Sequence, residues 1–175
     1  MRELGIPASF FMAGFYMSNI PNMLMLRPSP SDNVWTFSAP FSPDTRIPLY
    51  DPRDTGKYIK AMVLNEDHFL GKRFTGATAY VSGQEVVDTF KAVFPEAGKT
   101  ARFAEQTQEE YCAGLSAATG YPEFVVTELY ENMRLLEMFG YYGGEPLETS
   151  LQYVEDPLTS WADFLKEAEA FAGLK

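Results

Sequence analysis

Apolar residues recur along this chain at two spacings, and the spacing changes from strand-like to helix-like towards the C-terminal end. Residues 8–13 form an apolar run bounded by Pro7 and Gly14. Such a run predicts a strand covered on both faces, as in a parallel sheet. Residues 35–38 and 46–49 read as short strands, and Pro48, which has no N–H to donate, is expected to keep the second from a sheet's centre. Residues 73–81 predict a further strand, and 100–105 another short one. Between them, residues 19–27 carry Met23, Leu24, Met25 and Leu26, which suit a helical turn or a lid.

Helical spacing starts at Asp51-Pro52-Arg53-Asp54-Thr55-Gly56. Asp51 or Asp54 can accept from the free N–H groups of a first turn. Gly56 would allow close packing, and Tyr58, Ile59, Met62 and Val63 fall on one face. Ser82 and Glu85 have capping-box spacing before a helix carrying Val86, Val87, Phe90, Val93 and Phe94. Thr107 and Glu110 repeat that device before Tyr111, Leu115 and Ala118. Residues 123–139 give the clearest helix, with Val125, Val126, Leu129, Met133, Leu136 and Phe139 three or four apart and Gly140 as its stop. Thr159 or Ser160 caps a last helix burying Trp161, Phe164, Leu165, Ala168 and Phe171. Strands first and helices later predict an α/β fold, with helices packed at the end of the sheet.

Composition narrows the function classes. A chain of 175 residues with 46% hydrophobic content can build one sizeable core. The net charge of −10 repels phosphate backbones, so direct nucleic-acid binding is not expected. No apolar run is long enough to span a membrane. The single cysteine, Cys112, allows no internal disulfide, which points to the cytosol or nucleus. The single histidine, His68, excludes paired metal-ligand spacing.

Several stretches together carry a family resemblance. Gly5-Ile6-Pro7 followed by Gly14-Phe15-Tyr16-Met17-Ser18-Asn19 resembles the strand and loop after the catalytic helix in NmrA-like proteins, atypical members of the short-chain dehydrogenase superfamily. Asp51 to Gly56 resembles that family's D-x-x-D-x-G helix start. Gly71-Lys72, Ser82 with Glu85, the run Glu137-Met-Phe-Gly-Tyr-Tyr-Gly143 and the closing Leu158-Thr-Ser-Trp-Ala-Asp-Phe164 continue the match. The resemblance implies the C-terminal part of a Rossmann-type parallel sheet with a helical substrate or cap subdomain. It implies one domain over residues 1–175: a strand and loops over 1–50, helices and strands over 51–120, and a helical end over 121–175.

The departures matter as much. The sequence contains no G-x-G-x-x-G or G-x-x-G-x-x-G, the turn that cradles a dinucleotide pyrophosphate, and no tyrosine has a lysine four residues later. The resemblance implies NADP or NAD as cofactor, with binding by this chain alone weak or absent and no dehydrogenase activity as it stands. It implies a redox-sensing regulator of transcription that acts through a protein partner or self-association, or else the substrate half of an NAD(P)H-dependent oxidoreductase. A third reading is a structural domain that dimerises through an open sheet edge. Gly14, Phe15, Tyr16 and Asn19 are the implied cofactor-facing residues, since the loop after this strand lies near the nicotinamide end in related folds. Trp35, Phe37, Tyr141 and Tyr142 are candidates for the wall of a substrate cleft, and Tyr141 to Gly144 for part of a lid. Asp51 and Asp54 read as caps, Cys112 as structural, His68 as a surface residue, and Met12, Met17, Met23, Met25 and Met62 as core.

Overall fold

The computed structural model describes residues 4–175. Its centre is the extended stretch that begins with β1 (Phe10–Ala13) and continues, after Gly14, as β2 (Phe15–Tyr16). β1 pairs in parallel with β6 (Arg73–Gly76), and β2 pairs in parallel with β5 (Arg46–Tyr50). The chain therefore passes from one neighbour to another at Gly14. A Cβ there would lie 2.5 Å from the Pro48 carbonyl oxygen and 3.1 Å from that of Gly76. Three backbones converge on this point, and only a residue without a side chain fits.

β5 also pairs antiparallel with β7 (Ala79–Ser82), giving the order β2-β5-β7. Pro48 thus lies in a central strand, against the expectation from its missing N–H. It is tolerated because β2 meets β5 only at Leu49 and Tyr50, beyond the proline. Residues 73–81 are two strands, β6 and β7, and the chain leaves one sheet for another between them. A third sheet has the order β3-β4-β8, from Leu26–Pro28, Trp35–Ala39 and Arg102–Glu105.

β1 is half-buried along its length, with Met12 its one exposed residue. Phe11 and Ala13 pack inward, while Met12 and Tyr16 are 39% and 41% exposed. The run predicted to be covered on both faces is thus only half-buried on either. β1 also forms its ladder with β6 alone among the described strands.

Two cores result. The larger contains Phe15, Phe37, Ile47, Leu49, Val86, Phe90, Trp161 and Leu165, gathered between β2, β4 and β5 and the helices α4 (Gly83–Val93) and α8 (Trp161–Glu167). Each fully buried aromatic of this kind stabilises by about 1.5–3 kcal/mol. The Trp161 indole N–H donates to the Val86 carbonyl at 3.2 Å, fixing α8 on α4. The smaller core is Tyr50, Tyr58, Ala61, Met62, Phe69 and Phe74, under α2 (Thr55–Leu64) and α7 (Glu148–Leu151).

Both capping boxes form. Ser82 and Glu85 exchange hydrogen bonds at the start of α4, and Thr107 and Glu110 do so at the start of α5 (Gln108–Thr119). The long helix α6 (Glu123–Phe139) ends at Gly140, whose φ is +72°. It buries Val126, Met133 and Leu136, but Phe139 is 64% exposed. On α2 the buried positions are Tyr58, Ala61 and Met62, while Ile59 and Val63 face outward. Nothing lies within 4 Å of a Cβ built on Gly56, so no close packing required that glycine.

Asp51 caps the 3₁₀ turn Pro52–Asp54 through the Arg53 N–H. Asp54 makes no cap bond. Its buried carboxylate instead accepts from the Thr159 N–H at 2.6 Å and pairs with Lys57 at 2.6 Å. Helix α2 is thereby tied to the segment that leads into α8.

Candidate functional site: the crevice at the strand ends

Parallel strands expose their last carbonyls and the following loops at one edge, and ligands of open α/β sheets bind outside those carboxyl ends. In this chain that edge is built from the ends of β1, β2, β5 and β6. Met12 and Tyr16 stand at it, and the Tyr16 ring lies 5.5 Å from the Tyr50 ring. The segment after α6 crosses the same edge. The Tyr142 phenol donates to the Met12 carbonyl at 2.9 Å, and the Tyr80 phenol donates to the Glu145 carbonyl at 3.0 Å. Further along, the Ser150 hydroxyl accepts from the buried Thr75 N–H at 3.0 Å. Tyr141 packs edge-on against Tyr142 with ring centroids 5.0 Å apart and stays 38% exposed. Gly140, Gly143 and Gly144 all adopt positive φ, which gives this strap its tight turns.

The phenols here hold their protons. Burial pushes Tyr142 well above the usual tyrosine range, with Tyr141 and Tyr80 adding to it. Burial and the neighbouring Tyr16 raise Tyr141, and burial raises Tyr50 and Tyr80. The Tyr50 hydroxyl is in short contact with that of Thr55, which donates to the Pro52 carbonyl. The crevice therefore presents aromatic faces, while the Tyr142 and Tyr80 phenols donate their protons to the protein's own carbonyls.

The structure divides the residues implied by the resemblance. Tyr16 opens into the crevice. Phe15 is 6% exposed and points into the larger core, because successive strand residues face opposite ways. The space beside Gly14 is filled by Pro48 and Gly76, so its close approach is to the protein's own backbone. Asn19 is half-buried and opens the short helix α1 (Asn19–Asn22).

The four cleft candidates do not meet. Trp35 packs 4.9 Å from Phe90 and 5.9 Å from Phe171, and Phe37 is fully buried against Phe41 and Phe103. Both side chains of β4 belong to the core because α4 covers that sheet. Tyr141 and Tyr142 alone reach the strand ends. Met12 and Tyr80 were not predicted there. The alternation of Met12 with Phe11 and Ala13 is the one sequence signal that points to Met12.

His68 is exposed, as expected, with its ring 4.7 Å from the Phe69 and Tyr153 rings, and Cys112 packs beside the larger core. Met17, Met25 and Met62 are buried, whereas Met12 and Met23 are not. No group of metal-ligating side chains forms among the described residues, and no described helix is long and apolar enough to cross a membrane.

Tyr16 and Tyr141 suit a planar ring. The sequence has no Gly-rich turn of the kind that cradles a pyrophosphate. Gly83 does open a helix directly after a strand, but a Cβ there would meet the Phe103 ring at 2.6 Å, and Ser82 caps the turn.

Parallel strand pieces, covering helices and a crevice at their carboxyl ends define a mixed α/β chain of the Rossmann type. The chain belongs to the NmrA-like family, whose sequence model matches residues 1–165. It superposes on NmrA, a negative transcriptional regulator solved in complex with NAD, with a TM-score of 0.70 and 17% identity over 95% of this chain and 54% of that one. An NADPH-dependent quinone oxidoreductase from Escherichia coli, complexed with NADPH, gives a TM-score of 0.67 and 16% identity over 94% and 54%. Isoflavone reductase gives 0.62 and 15% over 95% and 54%. The chain thus spans about half the length of these structures. No curated protein matches it in sequence.

Proposed function

We propose that this chain is a regulatory binding module of the NmrA-like family and not by itself a dehydrogenase. It contributes the ring-side half of an NAD(P)-type site and acts in the cytosol or nucleus through a protein partner or a second copy of itself, as one domain over residues 1–175. The observation that carries the reading is the chemistry of the crevice. Neutral phenols and half-exposed Met12, Tyr16 and Tyr141 can contact a ring, while neither a phosphate cradle nor an acid/base pair accompanies them among the described residues.

Titration of NADPH and NADP against the purified chain tests this. The expected dissociation constant is weaker than about 1 mM, less than about 4 kcal/mol of binding. Saturable binding at micromolar concentration would overturn it. A second reading, the substrate half of an NADPH-dependent reductase, is favoured by the likeness to the quinone oxidoreductase. Quinone reduction with NADPH by this chain, lost in Tyr16→Ala, would decide for that reading.

A further inference from the structure

A cavity of about 630 Å³ lies where residues 22–27 face helices α5 and α6. It shares no residue with the crevice. Its size suits a small organic ligand. The walls are apolar and adaptable: Met23 and Met25 on one side, Leu115, Val125 and Leu129 on the other.

Three features separate this cavity from a packing gap. Its lining carries no carboxylate, in a chain with 24 Asp and Glu residues, and its one charged residue is Arg27. Arg27 is exposed, and unlike Arg46, Arg53, Arg73, Arg102 and Arg134 it has no ion-pair partner among the described residues. An unneutralised guanidinium beside an apolar wall favours an anion locally, against the repulsion of the chain's net charge of −10.

The second feature is backbone strain. Leu24 holds φ at +58°, a region leucine rarely adopts, and only Asn33 shares that among non-glycine described residues. The strained residue turns the wall between Met23 and Met25, and strain of this kind gathers at ligand clamps.

The third is Gly114, in the interior of α5. Glycine there weakens a helix relative to alanine. A Cβ at Gly114 would meet nothing within 4 Å, so no packing against protein demands the glycine. Gly114 is exposed and lines the cavity. Tyr111, three residues earlier, also lines the cavity; it is 8% exposed, and its phenol has no hydrogen bond among the described residues.

We propose that this cavity binds an apolar monoanion, a carboxylate on an aromatic or aliphatic body, with Arg27 pairing the carboxylate and the methionine-lined wall holding the body.

Calorimetric titration of the full chain with 1-naphthoate, decanoate and the neutral 1-naphthalenemethanol tests it. At least one carboxylate should bind saturably with one site per chain, and which one binds distinguishes an aromatic from an aliphatic body. The neutral alcohol should bind at least about tenfold more weakly than 1-naphthoate or not at all. Arg27→Gln should weaken the carboxylate about tenfold and leave any binding of the alcohol unchanged. Gly114→Leu should abolish binding while the melting temperature stays level or rises, since leucine favours the helix. Should Gly114→Leu lower the melting temperature, Ala118→Leu on the same wall replaces it. No saturable carboxylate binding, an alcohol that binds as tightly as the carboxylate, or a folded cavity-filling variant that binds like wild type would each overturn the proposal.

Discussion

The Tyr142 phenol donates a hydrogen bond to the Met12 carbonyl across 130 positions of sequence. This contact pins the strap after α6 to the end of β1. Tyr142→Phe removes it and leaves the ring in place. The expected loss is about 0.5–1.5 kcal/mol, read as a lower urea midpoint with an unchanged slope. Proteolysis within the strap, over residues 140–144, should speed up in the variant, and an unchanged cleavage rate would show that the bond does not hold the strap down.

Two glycines separate crowding from convenience. Gly14→Ala drives a methyl group against the Pro48 carbonyl and should destabilise by about 1–3 kcal/mol. Gly56→Ala, in open space near the start of α2, should stabilise by about 0.5–1 kcal/mol. Thermal melts of the two variants should move in opposite directions.

Asp54 is buried and holds two segments together. Asp54→Ala leaves the Thr159 N–H without its acceptor, at a cost of about 1–3 kcal/mol. The exposed pair of Lys60 and Asp156 is the control. Asp156→Ala should cost less than about 1 kcal/mol, because solvent screens that pair. Equal effects in chemical denaturation would remove the distinction.

Asp51 gives the fold an acid limit. Burial raises its pKa, but hydrogen bonds from the Arg53 side chain and backbone outweigh that, and the net shift is downward from 3.8. A carboxylate depressed in the folded state contributes stability above its unfolded pKa and loses it as pH falls through the folded value. Stability should therefore decline below about pH 4. Asp51→Asn should be less stable than wild type at pH 7 and show a shallower acid limb in melting temperature against pH. Parallel curves would assign the acid limit to other carboxylates.

The helices were legible because their signals are local. Ser82 with Glu85, Thr107 with Glu110, and the stop at Gly140 are complete within a few residues. The strands were harder. Residues 73–81 carry one apolar run, yet Gly76 to Thr78 move the chain from one sheet to another, and run length cannot reveal a change of partner. Trp35 and Phe37 looked like cleft walls because aromatics suit clefts and cores equally; α4 decides between them, and it lies some 50 residues away in sequence. Arg27 and Gly114 carry no motif, and only the packing of α5 and α6 against residues 22–27 gives them a shared address.

The junction at Gly14 and β5 has a consequence for how the molecule opens. Leu49 belongs to one core and its neighbour Tyr50 to the other. The two cores therefore meet across a single strand, and Asp54 with Thr159 and Arg53 with Glu167 tie them a second time. Amide exchange should resolve two cooperative units, one comprising β1, β6 and α2, the other β4, α4 and α8. The crevice lies on the seam between them, so a ligand seated there would strengthen the coupling between the two units.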